Sequence, residues 1–131
     1  MMNRHILNEY LRSNDGRAYR LGEWDCAIYV FAHVEAQTGV DHIAEYRGLY
    51  STEAEAKKLM KKFDRVATVR TLANKKLGES IPPAFARTGD IVSRGGSLGI
   101  LYADRAIFLA ESTGYERIPR ALLDRAWSIR S

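Results

Sequence analysis

The chain holds one cysteine and three histidines. Cys26 directly follows Glu23, Trp24 and Asp25, and beyond it apolar residues recur at Ala27, Val30, Phe31 and Val34, the spacing of a buried helical stripe that Gly39 is placed to end. A cysteine in the first turn of a helix is an arrangement that prepares a sulfur nucleophile, because the helix N-terminus carries about half a positive charge and favours the thiolate. To act as a nucleophile such a thiol needs a base within about 3 Å of the sulfur to take its proton. His33 stands seven residues further along the same helix, displaced by about 10.5 Å along the axis, and cannot touch Cys26. His42 lies beyond the C-terminal end of that helix. His5, near the N-terminus, is the one imidazole that this geometry leaves open as a base. The plainer reading makes Cys26 a small apolar filler, His33 a partly buried helix residue, and His5 and His42 surface residues.

Other constellations carry less. Glu23, Asp25 and Asp41 lack the loop spacing of a calcium or magnesium site, so Asp25 reads as a helix cap and Glu23 as a surface or dipole partner. Gly95-Gly96 lacks the helix and lysine of a phosphate loop and reads as a hairpin turn. Trp24 and Trp127 read as core or groove-wall aromatics. No metal and no cofactor is expected.

At 131 residues, with 46% hydrophobic and 27% charged residues, the chain has the composition of one ordinary globular domain. No apolar run approaches the ~20 residues needed to cross a bilayer, and the first residues lack an apolar signal core, so synthesis in the cytoplasm is expected. A single cysteine forms no internal disulfide, in keeping with a reducing compartment. The net charge of +4 comes mostly from lysines and arginines interleaved with Glu53, Glu55, Asp64 and apolar residues, the pattern of solvated helix faces. A nucleic-acid reader would show a denser basic patch with exposed aromatics, so nucleic acid is not an expected partner.

Four helices must position the thiol. The first runs over Asn3 to Leu11 and stops at Ser13-Asn14-Asp15-Gly16. An irregular approach through Gly22 leads into the second, at Cys26. After a connector from Val40 to Tyr50, a third begins at Ser51 or Thr52 with Thr52 and Glu55 at capping-box spacing and a buried stripe of Ala56, Leu59, Met60 and Phe63. Thr68 caps a fourth that carries Val69, Leu72, Ala73 and Leu77 and ends at Gly78. Strands are expected over Asp90 to Arg94, Leu98 to Tyr102, Arg105 to Ala110 and Ala126 to Arg130. Helices over about 1–87 and antiparallel strands over about 88–131 make a single α+β domain.

The WDCAIYVFA helix start, the TGVDHIAEYRGLYST segment, the ARTGDIVSR strand entry and the SLGILYADRAIFL hairpin together resemble a family of small phage-encoded proteins related to the NlpC-type branch of the papain-like cysteine peptidases. The resemblance runs from about Tyr19 to Trp127 and implies a helix headed by Cys26 packed on an antiparallel sheet. In active members a histidine begins the strand after the Gly-Asp strand; here that position is Ser97, and the third position falls near Ala110 and Glu111. Cys26 therefore carries over and the general base does not. The resemblance implies a non-catalytic structural or assembly module of the phage tail, made in the host cytoplasm and carried in the virion, with other tail proteins as partners. The alternative is a cysteine peptidase or amidase acting on peptidoglycan, with Cys26 as nucleophile and His5 or a partner's histidine as base. Trp24, Asp25 and Arg94 are the candidate binding residues, since the turn from Arg94 to Ser97 should lie beside Cys26.

Overall fold

In a computed structural model, which describes residues 2–129, four α-helices precede a five-stranded sheet: α1 (Arg4–Asn14), α2 (Cys26–Thr38), α3 (Glu53–Asp64), α4 (Val69–Leu77), β1 (Ile91–Arg94), β2 (Ser97–Tyr102), β3 (Arg105–Leu109), β4 (Tyr115–Pro119) and β5 (Arg125–Trp127). The sheet is antiparallel with strand order β4-β3-β2-β1-β5. Three expected strands recur within a residue at each end. The last is shorter than expected, and Arg130 at its expected end lies outside the described residues. No strand was expected where β4 lies; with Glu116 and Arg117 at its centre it carries no run of apolar or β-branched residues. It is an edge strand, and charge along an edge keeps it from pairing with other chains.

Helix α2 organises the packing. Seven of its residues, from Ala27 to Val34, are buried, so it is apolar almost all round, as a helix enclosed on every side must be. It lies on β2 and β3 with α1 beside it. Leu98, Ile100 and Ile107 of the sheet meet Tyr29, Phe31 and Val34 there, in one continuous core. Tyr29 is fully buried and donates its hydroxyl to the carbonyl of Ile107 at 2.8 Å, which ties the helix to β3. The other face of the sheet carries Val92, Leu101, Ala106, Phe108, Ile118 and Ala126 in a second, smaller core. It is covered by two short 3-10 turns, Pro83–Phe85 and Arg120–Leu122, whose contact Arg120 secures by donating to the carbonyls of Pro83 at 2.7 Å and Ala86 at 2.9 Å.

The caps follow from local chemistry. Thr52 accepts from the Glu55 N–H at 3.1 Å, but the Glu55 carboxylate returns to the N–H of Ser51 at 3.0 Å, one residue earlier than a capping box requires. Thr68 and Thr71 form the reciprocal box. Phe63, expected in the buried stripe of α3, is instead 36% exposed, edge-on to the Tyr46 ring.

Between α3 and α4 lies a polar cluster. Asp64 is 5% exposed. It accepts from the Tyr46 hydroxyl and from Lys76 Nζ at 3.1 Å, and Lys76 also pairs with Glu45 at 2.9 Å. Burial opposes the Asp64 charge, but the hydrogen bonds from Tyr46 and Lys76 outweigh it and hold the carboxyl below its usual value. A depressed carboxyl stabilises the fold above its unfolded pKa of about 3.9, and that contribution is lost as pH falls through the lower folded value. Asp64→Asn is therefore expected to cost about 2 kcal/mol at neutral pH by leaving Lys76 and Tyr46 short of a charged acceptor. Urea unfolding across pH should show the gap between wild type and variant closing as acidity passes the carboxylate range. A gap that persists there would mean Asp64 acts by packing alone.

Candidate functional site

The Cys26 thiol lies where the start of α2 meets α3, α4 and the β1–β2 turn. Asp25 shapes this corner. One carboxylate oxygen accepts from the Ile28 N–H at 2.9 Å and caps α2; the other accepts from the Gly22 N–H at 2.9 Å and from the Tyr50 hydroxyl at 2.6 Å. A single carboxylate thus joins the approach loop, the helix and the RGLY segment. Asp25 is 3% exposed and holds the site in shape through these three bonds, while also lining the inner cavity beside Cys26. Tyr50→Phe removes one charge-assisted hydrogen bond while Asp25 keeps both backbone donors. A loss of about 1–2 kcal/mol is expected in denaturant unfolding; an unchanged midpoint would show that the hydroxyl adds nothing to the clamp.

Two cavities are lined by Cys26 and share Tyr19, Met60 and Val69 as walls. The inner one has a volume of about 70 Å³ and is walled by Tyr19, Tyr46, Tyr50, Met60, Val69 and Leu72 together with Cys26. The outer one, about 360 Å³, opens between α3 and the β1–β2 turn, past Lys57, Arg70, Glu53, Thr68, Gly95 and Gly96. Neither is lined by a histidine. All three histidines lie among the described residues. His33 is fully buried, with Nε2 2.9 Å from the Gly89 carbonyl; His42 packs on the Phe31 ring; His5 is exposed on α1. The low-numbered imidazole left open by sequence geometry is therefore not at the thiol.

The expected activation of Cys26 does not hold. Burial pushes the thiol up to about 11, and the neighbouring Asp25 adds in the same direction; the backbone N–H groups of Leu98, Ala27 and Cys26 oppose them without prevailing. Desolvation disfavours the charged form, and here it exceeds the pull of the helix terminus. Burial likewise pushes the Tyr19 hydroxyl up to about 12, with the negative forms of Cys26 and Asp25 adding to it. The inner cavity therefore surrounds the sulfur mostly with tyrosine and apolar side chains, and the charged groups Glu53, Lys57 and Arg70 stand in the outer one.

Ser97 begins β2 and is exposed, outside the lining of both cavities. What β2 presents to the sulfur is the N–H of Leu98, a backbone group that no side-chain motif reveals. The turn after β1 does reach the outer cavity, through Gly95 and Gly96, while Arg94 is exposed and does not line it. Trp24, a candidate binding residue, is instead 2% exposed in the core. It packs against Tyr10 and Tyr29, with the Arg17 guanidinium 4.2 Å over its ring. Sequence reasoning missed Tyr50 and the walls contributed by Met60 and Val69. Tyr50 ends the RGLY phrase, and its position there was the available signal. Among the described residues no group of acidic, histidine or cysteine side chains is arranged to hold a metal ion, and no helix is long and apolar enough to cross a membrane.

No curated protein matches the chain. A family model described as a domain of unknown function (DUF6950) matches residues 2–129, nearly its whole length, and the chain belongs to that family.

Proposed function

We propose that this member of the DUF6950 family is a phage-derived domain of papain-like, NlpC-type fold that does not turn over amides and works as a structural or assembly module of the phage tail. The observation that carries the reading is the absence of any imidazole from the two cavities at Cys26. Amide cleavage by a thiol needs a base to take its proton and an acid to protonate the leaving amine, and a thiol held near 11 is neither ionised at neutral pH nor paired with such a group. A helix headed by Cys26 against an antiparallel sheet is the arrangement the resemblance implies. The place in the tail rests on the resemblance alone. Purified protein incubated with peptidoglycan should release no new amino termini, and tail complexes should contain the protein in fixed stoichiometry. Hydrolysis that disappears in Cys26→Ala, or tails devoid of the protein, would overturn the reading.

One observation favours a second reading. The outer cavity leads from solvent to the sulfur, so a histidine brought by a partner chain could reach it, with Cys26 as nucleophile of a peptidoglycan amidase. That reading predicts activity only in the presence of the partner. It is excluded if the reconstituted tail complex and its Cys26→Ala counterpart release equal amounts of product.

A further inference from the structure

On the helix-facing side of the sheet, away from Cys26, lies a depression of about 430 Å³ between the end of α1 and the β2–β3 turn. Its floor is apolar: Leu11, Ile107 and the ring of Tyr102. Two arginines enter it from neighbouring strands. Arg117 of β4 lies opposite Ile107 of β3, and Arg105 stands two residues before Ile107, so both guanidinium groups rise from the same face of the sheet as diagonal neighbours, about 7 Å apart at the backbone. Among the described residues neither makes a hydrogen bond or ion pair with a carboxylate. Asp104, in the turn, also lines the depression. With the Arg4 guanidinium 5.2 Å over the Tyr102 ring, positive groups outnumber the one carboxylate of Asp104 at the depression, which favours an anion, and the apolar floor favours one carried on a hydrocarbon stem over inorganic phosphate.

The wall of the depression is preformed. Ala103, at φ 55°, occupies the left-handed region, which a residue with a side chain adopts only when its surroundings hold it there. It is held there because its N–H donates to Thr88 Oγ1 at 2.9 Å and its carbonyl accepts from Arg120 at 3.0 Å. The Arg120 N–H also donates to the Asp104 carbonyl at 2.9 Å. Tyr102 is fixed by its hydroxyl, which donates to Asn8 at 2.6 Å. A ligand entering here would not have to order the turn, so little of its binding energy would be lost to ordering.

We infer that this depression binds a carboxylate carried on an apolar stem, the carboxylate lying between Arg105 and Arg117 and the stem on Leu11, Ile107 and Tyr102. Two sources supply that chemistry: the C-terminus of a partner peptide ending in an apolar residue, or a small organic acid. The site does not depend on Cys26 or on the reading of its cleft.

The test is an amide chemical-shift titration of the full chain with N-acetyl-leucine, N-acetyl-leucinamide, inorganic phosphate and a short peptide ending in leucine. N-acetyl-leucine should produce saturable shifts at Ala103, Arg105 and Arg117, and its amide should not. Arg105→Gln and Arg117→Gln should each weaken binding about tenfold or more, as loss of a charged hydrogen-bond donor does. Both residues are exposed, so unfolding midpoints should stay unchanged and report that the variants fold. A peptide that binds more tightly than N-acetyl-leucine assigns the site to a partner's C-terminus; one that binds no better assigns it to a small acid. The inference is overturned if acid and amide bind alike, if neither shifts these residues, or if phosphate binds more tightly than the carboxylates.

Discussion

Gly22→Ala is expected to destabilise the protein by about 3 kcal/mol and to lower its melting temperature by roughly 10 °C. Two costs combine at this position. The backbone of Gly22 has φ +86°, in the left-handed region, and a Cβ built there would lie 2.0 Å from the carbonyl oxygen of Tyr50. The first cost is about 1 kcal/mol for a residue with a side chain. The second cannot be relieved by turning a side chain, since the obstacle is backbone, and overpacking of this kind costs about 1–3 kcal/mol. Displacing Tyr50 would also pull its hydroxyl from Asp25 and open the wall of the inner cavity. Gly39→Ala is the control: its φ is +80°, yet no atom lies within 4 Å of the added carbon. It should show the conformational cost alone. Equal melting temperatures for the two variants, measured by calorimetry, would show that the Tyr50 contact does not constrain the approach loop.

The helical half of the molecule was legible in the sequence because its signals are local. Asp25 ahead of an apolar stripe, Thr68 ahead of another, and Gly39 at a helix end each report a cap or a stop within one turn of chain. Strand β4 was not legible, because an edge strand is chosen by its pairing with β3 and needs little apolar pattern of its own. The Asp64 and Lys76 pair was hidden for a different reason: its members lie on separate helices, and lysines on a mixed helix face look solvated until the packing is known. At the candidate site, the placement of Cys26 at the head of α2 could be read, and so could the distance of His33 from it. The state of the thiol could not. Local sequence shows the helix terminus that favours a thiolate, whereas the burial that disfavours it is built by Tyr19, Tyr46, Met60 and Val69, which come from four other segments of the chain.

Cys26 is expected to be a poor nucleophile at neutral pH. A thiol pushed up from 9.0 to about 11 has a thiolate fraction at neutral pH about 100-fold below that of an unperturbed cysteine. Part of this is offset because a more basic thiolate attacks more readily, with a Brønsted coefficient of about 0.4–0.5. The net expectation is modification by iodoacetamide at least about tenfold slower than a free cysteine at neutral pH. Rate alone confounds ionisation with access to the cavity, but the dependence of the rate on pH does not. The decisive measurement is therefore the iodoacetamide rate of Cys26, followed by intact mass from about pH 6 to about pH 10. A protonated thiol without a base predicts a rate that climbs steadily across the whole range with no plateau. A plateau reached near or below neutrality would reveal an activated thiolate, and the non-hydrolytic account would be contradicted.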